Sequence, residues 1–224
     1  MNSLAVAGAE TGVLYQENVN PQWVRLLNIL QMNVKYARCR GSELFDSDGR
    51  RYLDFLSGYC VHNTGHNHPR IIAALQEELE RCGPAMLQSH VPELAGELAA
   101  RLCDRAGKRM KKVFFCSSGS EGVEAAIKFA RARTRRDGLL YLDGAFHGLT
   151  TGALSMMGSS FWKEGFGTLL ESTEVSFGDL DALKTRLATK EYAAFFVEPV
   201  QGEGGIRCNP EYLEQAQELC RRYG

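Results

Sequence analysis

The chain of 224 residues is 44% hydrophobic and 24% charged, proportions that are ordinary for a soluble globular protein of one or two domains. Its 26 Lys and Arg residues nearly balance its 27 Asp and Glu residues, so charge predicts no general attraction to nucleic acid or to an acidic membrane. The seven cysteines show no pairing pattern, and no apolar run is long enough to span a bilayer. The apolar stretch at residues 4–9 is short and follows no basic residue, which makes it a poor signal peptide. We therefore expect a cytoplasmic protein.

The first 60 residues predict a small N-terminal part that consists of an arm, a helix and a β-hairpin. Residues 1–20 are polar and contain glycine, which indicates a loosely held arm. Pro21 opens a short helical pattern with apolar residues on one side. Residues 42–55 predict two short strands around the turn at Asp48 and Gly49.

Helices and strands alternate from about residue 69 onward. Apolar residues at helical spacing predict five helices, which contain Ile71, Leu94, Val123, Leu180 and Leu213. The predicted strands are residues 113–116, 139–142, 174–177 and 193–197. The last strand is wholly apolar, as expected for a parallel strand covered on both faces. This order predicts an α/β fold with a right-handed, mainly parallel sheet, whose ligands bind outside the carboxyl ends of the strands.

The first candidate loop follows the predicted strand at 113–116 and runs from Ser117 to Gly122, with small residues at all positions except Glu121. Small residues let the backbone approach a phosphate closely, and the start of the next helix offers unpaired N–H groups. Ser118 and Ser120 could add hydroxyl donors. The alternative is that Ser118 and Glu121 form a capping box, which would start a helix without any ligand. The loop matches neither the P-loop nor the dinucleotide-binding pattern.

The second candidate loop, residues 144–148, holds Phe146 and His147 between small residues. A phenylalanine at such a strand end can lay its ring on a flat heteroaromatic ligand, and the neighbouring histidine can donate to a ring oxygen or a substrate. The alternative interpretation is a core phenylalanine beside a turn histidine, and for this loop alone that alternative is preferred.

The third candidate loop follows the apolar strand at 193–197 and carries Glu198 and Glu203. An acid directly after such a strand is costly to bury unless it is paired, so Glu198 is expected to meet a cation or a hydrogen-bond network. Glu203, among glycines, could stand at the mouth of a site. Alternatively, both acids are solvated in a surface loop.

Taken together and in this order, the three loops resemble the signature blocks of class III aminotransferases. The matching segments are Ser117–Arg131, Gly144–Gly148, Val197–Gly205 and, ahead of them, Leu56–Pro69. The similarity runs from about residue 40 to residue 224. It implies a pyridoxal-phosphate transferase of fold type I, with a three-layer αβα large domain that is incomplete at residues 61–224. Residues 1–60 would then be part of the small domain.

The resemblance also assigns roles to individual residues. It implies that Ser118, Gly119 and Ser120 hold the phosphate of pyridoxal 5'-phosphate, and that Phe146 stacks on the pyridine ring with His147 close by. Glu198 would belong to the network beneath the ring. Tyr59 would line the substrate pocket, and Glu203 would gate substrate charge. Family members move an amino group from a donor to a 2-oxo acid and are homodimers with shared active sites.

Two departures from the family pattern bear on activity. The Asp-Glu-Val-Gln strand, whose Asp pairs with the pyridine nitrogen, and the Schiff-base lysine have no counterpart in these 224 residues. None of the eight lysines matches that nucleophile: Lys35, Lys108, Lys111, Lys112, Lys128, Lys163, Lys184 and Lys190. We therefore expect no catalytic residue in this chain and no transamination by it alone. Leu149 stands where many acetylornithine-type members have Arg, which favours a diamine, ornithine or another ω-amino donor.

Two alternatives of other classes stay open. Cys60, His62, His66 and His68 form a dense set of possible metal ligands, although without the paired spacing of structural zinc motifs. The chain could also be a fragment or one half of a split enzyme that acts as a non-catalytic association module. In that case we expect exposed apolar sheet edge.

Overall fold

The structure is a computed structural model that describes residues 11–84, 89–107 and 109–224. These residues divide into two compact units, with the boundary between Val91 and Pro92. The first unit thus extends past residue 60, while the expected division into small and large family domains at that residue stays a prediction. None of the helices in the described residues is long and apolar enough to cross a membrane.

Among its described residues, the first unit contains three helices of eight or more residues and a small antiparallel sheet. Its helices are α1 (Thr11–Asn18), α2 (Pro21–Ile29) and α3 (Pro69–Glu80), and its strands are β1 (Tyr36–Arg40), β2 (Glu43–Asp46) and β3 (Arg51–Leu53). Within the predicted arm over residues 1–20, Thr11–Asn18 form the helix α1, and residues 1–10 lie outside the described residues. The start of α2 at Pro21 is confirmed, with Asn20 as the N-cap that accepts a hydrogen bond from the Trp23 N–H.

The predicted hairpin is confirmed, and a third strand joins it. Strand β2 pairs with β3 in antiparallel register, with Glu43 opposite Leu53. Asp46 stabilises the turn because its Oδ1 accepts hydrogen bonds from the Asp48 and Arg50 N–H groups at 3.0 and 2.8 Å. Strand β1, which pairs with β2 on its other side, was not predicted, because its mostly exposed, arginine-rich sequence has no apolar alternation.

The second unit contains a parallel sheet with the order β5-β4-β6. The strands are β4 (Gly138–Leu142), β5 (Ser172–Val175) and β6 (Tyr192–Phe196), and β4 is parallel to both neighbours. The helices are α4 (Glu93–Ala106), α5 (Gly119–Thr134), α6 (Thr151–Ser155), α7 (Leu180–Ala188) and α8 (Pro210–Tyr223). The five helices predicted after residue 69 correspond to α3, α4, α5, α7 and α8, and they and three of the four predicted strands are confirmed to within a few residues, whereas α6 was not predicted.

Strand β4 is the centre of the core because its side chains alternate between the two faces of the sheet. Leu139 and Tyr141 pack with Ile127 of α5 on one face. Leu140 packs on the other face, against Leu183 of α7 and the second layer of helices. The expected three-layer αβα arrangement is thus present in this unit.

The predicted strand at residues 113–116 is wrong. These residues pair with no described strand, and Phe114 is 64% exposed. An apolar run forms a strand only where a ladder of hydrogen bonds is available, and the described sheet offers none here. Strand β6 packs on both faces as predicted, with Ala193 and Phe196 against one side of the core and Phe195 against the other. It is only half-buried, since it has a neighbouring strand on one side only among the described residues.

Candidate functional site

The loops that follow β4 and β6 meet because these strands are neighbours in the sheet. Glu198, the second residue after β6, joins them through both carboxylate oxygens. Its Oε2 accepts a hydrogen bond from the Phe146 N–H and its Oε1 one from the Gly202 N–H, each at 2.9 Å. The hydrogen-bond network expected for this acid is therefore formed with the backbone, and it fixes the segment that carries Phe146.

Gln201 forms a second link between the same two loops. Its side chain is buried, with only 2% of the residue exposed, and its Nε2 donates a hydrogen bond to the Asp143 carbonyl at 2.6 Å. Sequence analysis did not single out Gln201. The available signal was a long amide side chain in a glycine-rich loop, five residues after the end of β6.

The start of α5 has the predicted capping box. The Ser118 Oγ accepts a hydrogen bond from the Glu121 N–H at 3.2 Å. The Glu121 carboxylate in turn accepts from the N–H groups of Ser117 and Ser118 at 2.6 and 3.2 Å. The interpretation of this motif as a helix start is confirmed.

Two further N–H groups at the start of α5 are left without an acceptor. Within the described part of the chain, neither the Gly119 nor the Ser120 N–H forms a hydrogen bond. A side chain built on Gly119 would meet open space. The capping box thus does not compete with anion binding, because it uses other donors at the same helix end.

Ser120 connects the start of α5 with the loop after β4. Its Oγ accepts a hydrogen bond from the Leu149 N–H at 3.4 Å. Gly148 lies against it, since a Cβ on Gly148 would overlap the Ser120 Oγ and lie 3.0 Å from the Ser120 Cβ. The structure therefore brings together the three segments that carry Ser120, Phe146 and Glu198.

His147 points its ring into the protein. Its ring contacts Phe196 of β6 edge-on at 5.9 Å, and its buried Nε2 has no hydrogen-bond partner among the described residues. Burial lowers the pKa of His147 below its ordinary value, although the nearby Glu198 acts in the opposite direction. The neutral imidazole is therefore favoured, and its Nε2 is left as an unpaired buried polar atom.

Trp162, which sequence analysis missed, connects two of the predicted residues. Its ring lies edge-to-face with Phe146, with centroids 5.7 Å apart and planes at 88°. Its indole Nε1 donates a hydrogen bond to the Glu203 Oε1 at 3.1 Å. The residue lies in a 3-10 helix, Ser160–Trp162, that no pattern in the sequence predicts.

Tyr59 lies in the first compact unit and is 77% exposed. It is part of the turn Ser57–Cys60, whose four residues all have φ between 50° and 66°. Three of these residues carry side chains that rarely adopt the left-handed region, so the turn is strained.

One of the possible metal ligands near this turn, His66, has another partner. His66 Nε2 lies 2.6 Å from the Asp54 Oδ2, and this hydrogen bond is the main cause that holds the pKa of Asp54 below its ordinary value. Among the described residues no group of three or more His, Cys, Asp or Glu side chains is placed to hold a metal ion.

Comparison with known proteins identifies the family. Residues 27–224 match the family model described as aminotransferase class-III. The chain is 41% identical over 211 residues to the aminotransferase PigE of Serratia sp. (strain ATCC 39006), covering 93% of this chain and 25% of that protein. It is 39% identical over 187 residues to the acetylornithine aminotransferase of Halalkalibacterium halodurans, covering 83% of this chain and 48% of that protein.

A solved structure supports the same relationship. The ornithine aminotransferase from Toxoplasma gondii, described with partial occupancy of PLP at its active site, is 26% identical and superposes with a TM-score of 0.78. The match covers 96% of this chain and 55% of that one, so the chain spans about half the length of such relatives. With a family model that matches most of its residues and a shared fold, the chain belongs to the class III aminotransferases of fold type I.

Proposed function

We propose that this chain contributes the phosphate- and ring-binding part of an aminotransferase that moves an amino group from an ω-amino donor to a 2-oxo acid. Family membership indicates pyridoxal phosphate as the cofactor. The observation that carries the proposal is the convergence of the α5 start, the Phe146–His147 loop and Glu198. The residues fit the group, because two unpaired N–H groups and one unpaired buried nitrogen lie on segments linked by hydrogen bonds.

The α5 start would hold the phosphate. The N–H groups of Gly119 and Ser120 and the positive end of the helix favour an anion by about 0.3–1 kcal/mol, and by more when partly buried. The Ser120 Oγ accepts from Leu149, so its own hydrogen is free to donate to a phosphate oxygen. Ser118 acts mainly as the cap that keeps these donors in place.

The loop after β4 would orient the ring. Phe146 offers an aromatic ring whose backbone is fixed by Glu198, and the neutral His147 offers a nitrogen to a polar ring substituent. A bound pyridoxal phosphate supplies the electron sink that the reaction needs. These residues bind it, orient it and keep part of its surface from water.

The choice of donor follows from two positions. Leu149, in place of the Arg of many acetylornithine-type members, offers no charge to a donor carboxylate, and Glu203 offers a negative charge suited to a second ammonium. We therefore favour a diamine, ornithine or a similar ω-amino donor. We also propose that Tyr59 lines the substrate pocket, that the longer protein is a homodimer and that it is cytoplasmic, since all seven cysteines are free.

Titration of the purified chain with pyridoxal phosphate tests the proposal. We expect saturable binding, followed by cofactor absorbance, and weaker binding in Ser120→Ala and Phe146→Leu. The control is Ser176→Ala, because Ser176 is an exposed serine in the same unit whose side chain forms no hydrogen bond within the described residues. Absence of saturable binding, or equal loss in the control, would contradict the proposal.

A non-catalytic association module is a second candidate, because α4 exposes its apolar stripe. Leu94, Leu98 and Leu102 on this helix are all exposed, as expected for a surface that another chain covers. This function predicts a concentration-dependent assembly that Leu98→Glu abolishes without any change in cofactor binding, which analytical ultracentrifugation and the same titration would measure.

A further inference from the structure

The segment that carries Trp162 is anchored to the sheet at both ends. At its start, the Gly158 N–H donates to the Ala145 carbonyl at 2.8 Å. A Cβ on Gly158 would lie 2.7 Å from the Ala145 nitrogen, so only glycine permits this close approach to the loop that carries Phe146.

At its other end, Lys163 holds the segment against β4. Its Nζ donates to the Tyr141 hydroxyl at 3.2 Å and lies 5.1 Å from the centre of that ring. Tyr141 itself is buried in the core. Ser159 adds a local cap, because its Oγ accepts from the Phe161 N–H at 3.3 Å. Trp162 is therefore presented by a fixed backbone.

Glu203, in contrast, lies at the exposed tip of a turn. The Gln201 N–H donates to the Ile206 carbonyl at 2.8 Å, and Gly204 and Gly205 have positive φ values that close the turn between them. Among the described residues, Trp162 provides the hydrogen bond to the Glu203 side chain. Without this bond the carboxylate would sample the many rotamers of an exposed glutamate.

We propose that Trp162 is a positioning residue that holds the Glu203 carboxylate in a fixed place relative to the Phe146 ring. The same rigid side chain contacts the Phe146 ring edge-to-face and donates a hydrogen bond from its indole N–H to Glu203. The inference rests on the proposed function for the roles of Phe146 and Glu203. Because Trp162 determines the position of the Glu203 carboxylate, Trp162 would also contribute to the preference for an amino donor with a second ammonium group.

The hydrogen bond can be tested by NMR of the indole N–H groups. The chain has two tryptophans, so Trp23→Phe leaves the Trp162 signal alone in its region of the spectrum. In this background, Glu203→Ala should move that signal and speed its exchange with solvent, and Glu203→Gln should keep part of the effect because its amide oxygen still accepts. Phe146→Leu should also move the signal through loss of the neighbouring ring.

The matched control is Glu214→Ala, which removes an exposed carboxylate from α8. If Glu203→Ala leaves the Trp162 signal as unchanged as the control does, the positioning role is wrong. This readout needs no bound cofactor.

The consequence for the donor is tested on the chain loaded with pyridoxal phosphate. Equilibrium constants for 1,4-diaminobutane and 1-aminobutane are compared through cofactor absorbance, in wild type and in Trp162→Phe, which keeps an aromatic ring but loses the donor. We expect the diamine preference to fall about two- to fivefold, the range of an exposed ion pair. If Trp162→Phe leaves the diamine preference unchanged, the inference is wrong. If the wild-type chain does not bind pyridoxal phosphate, the proposed function is wrong, and the NMR experiment alone then decides the role of Trp162.

Discussion

Gly148 lies where the loop after β4 passes closest to the start of α5. Its φ of 125° is unfavourable for other residues, and any Cβ would overlap the Ser120 hydroxyl. Gly148→Ala should therefore cost about 1–2 kcal/mol of unfolding free energy for the backbone. Overpacking should add about 1–3 kcal/mol. Because the Ser120 hydroxyl must turn away, binding of pyridoxal phosphate should weaken as well.

Gly178→Ala is the matched control for Gly148→Ala. Gly178 has a φ of 82°, yet a Cβ there meets no atom within 4 Å, so this variant isolates the backbone cost. Urea unfolding and cofactor titration of both variants give the comparison. Equal cofactor affinity in the two variants would show that the contact between Gly148 and Ser120 does not matter for binding.

His147 predicts a pH dependence of stability. Burial lowers its pKa in the folded state below the ordinary 6.5, so below about pH 6.5 the unfolded chain binds more protons at this residue. The stabilisation from neutral His147 is therefore complete above that pH and is lost as the pH falls towards the lowered pKa. Urea unfolding between pH 7.5 and 5 should show this loss.

The variant His147→Gln should flatten this part of the stability profile. Asp46 and Asp54 also have lowered pKa values, and their stabilising effect is lost only at more acidic pH, as the pH falls below their ordinary 3.8. A wild-type profile identical to that of His147→Gln would contradict the burial of a neutral imidazole.

At the scale of elements, the start of α5 gives different contacts to two serines, Ser118 and Ser120, that the family resemblance assigns to the same phosphate. Ser118 caps the helix and Ser120 faces the loop after β4. Ser118→Ala should lower the unfolding free energy by ~1 kcal/mol through loss of the cap. Ser120→Ala should mainly weaken binding of pyridoxal phosphate. Thermal unfolding and cofactor titration on both variants distinguish these roles, which would be refuted if the two variants lost stability and affinity in equal proportion.

The helices and strands that could be predicted are those marked by a pattern of neighbouring residues in the sequence. Strand β4 has an apolar run that the core of the unit requires, and the capping box at Ser118 marks the start of α5 within one residue. Residues 113–116 have an equally apolar run but no pairing partner in the described sheet, and only three-dimensional structure shows that. The arginine-rich β1 forms through backbone pairing alone, which leaves no pattern in its side chains.

For the candidate site, too, residues with a local sequence signal could be predicted and residues that depend on distant contacts could not. Phe146 and Glu198 could be predicted because the topology of a parallel sheet brings the ends of β4 and β6 to one edge. Ser120 follows no described strand, and its signal was the capping box and the small residues at the start of α5. Gln201 and Trp162 could not, since each acts through a contact more than 15 residues distant in sequence, with Asp143 and with Phe146 and Glu203. Trp162 in addition depends on the close approach that Gly158 permits.

At the scale of the whole molecule, we expect none of the 224 residues to be the counterpart of the Schiff-base lysine that the family resemblance requires. Lys163, the lysine closest in sequence to Trp162, is held by Tyr141, and burial lowers its pKa. We predict that a polypeptide of these residues binds pyridoxal phosphate but does not transaminate. An assay with 1,4-diaminobutane or ornithine and 2-oxoglutarate should show no turnover; turnover that Lys163→Met abolishes would refute the prediction.

The most direct test of the central claim, a phosphate held at the start of α5, is amide NMR of the labelled chain during titration. Addition of pyridoxal phosphate should shift the Gly119 and Ser120 amide signals most strongly, because these N–H groups are unpaired in the structure. Pyridoxal, which has the ring without the phosphate, should leave both signals nearly unchanged. Largest shifts elsewhere in the chain, or equal shifts with pyridoxal, would contradict the account.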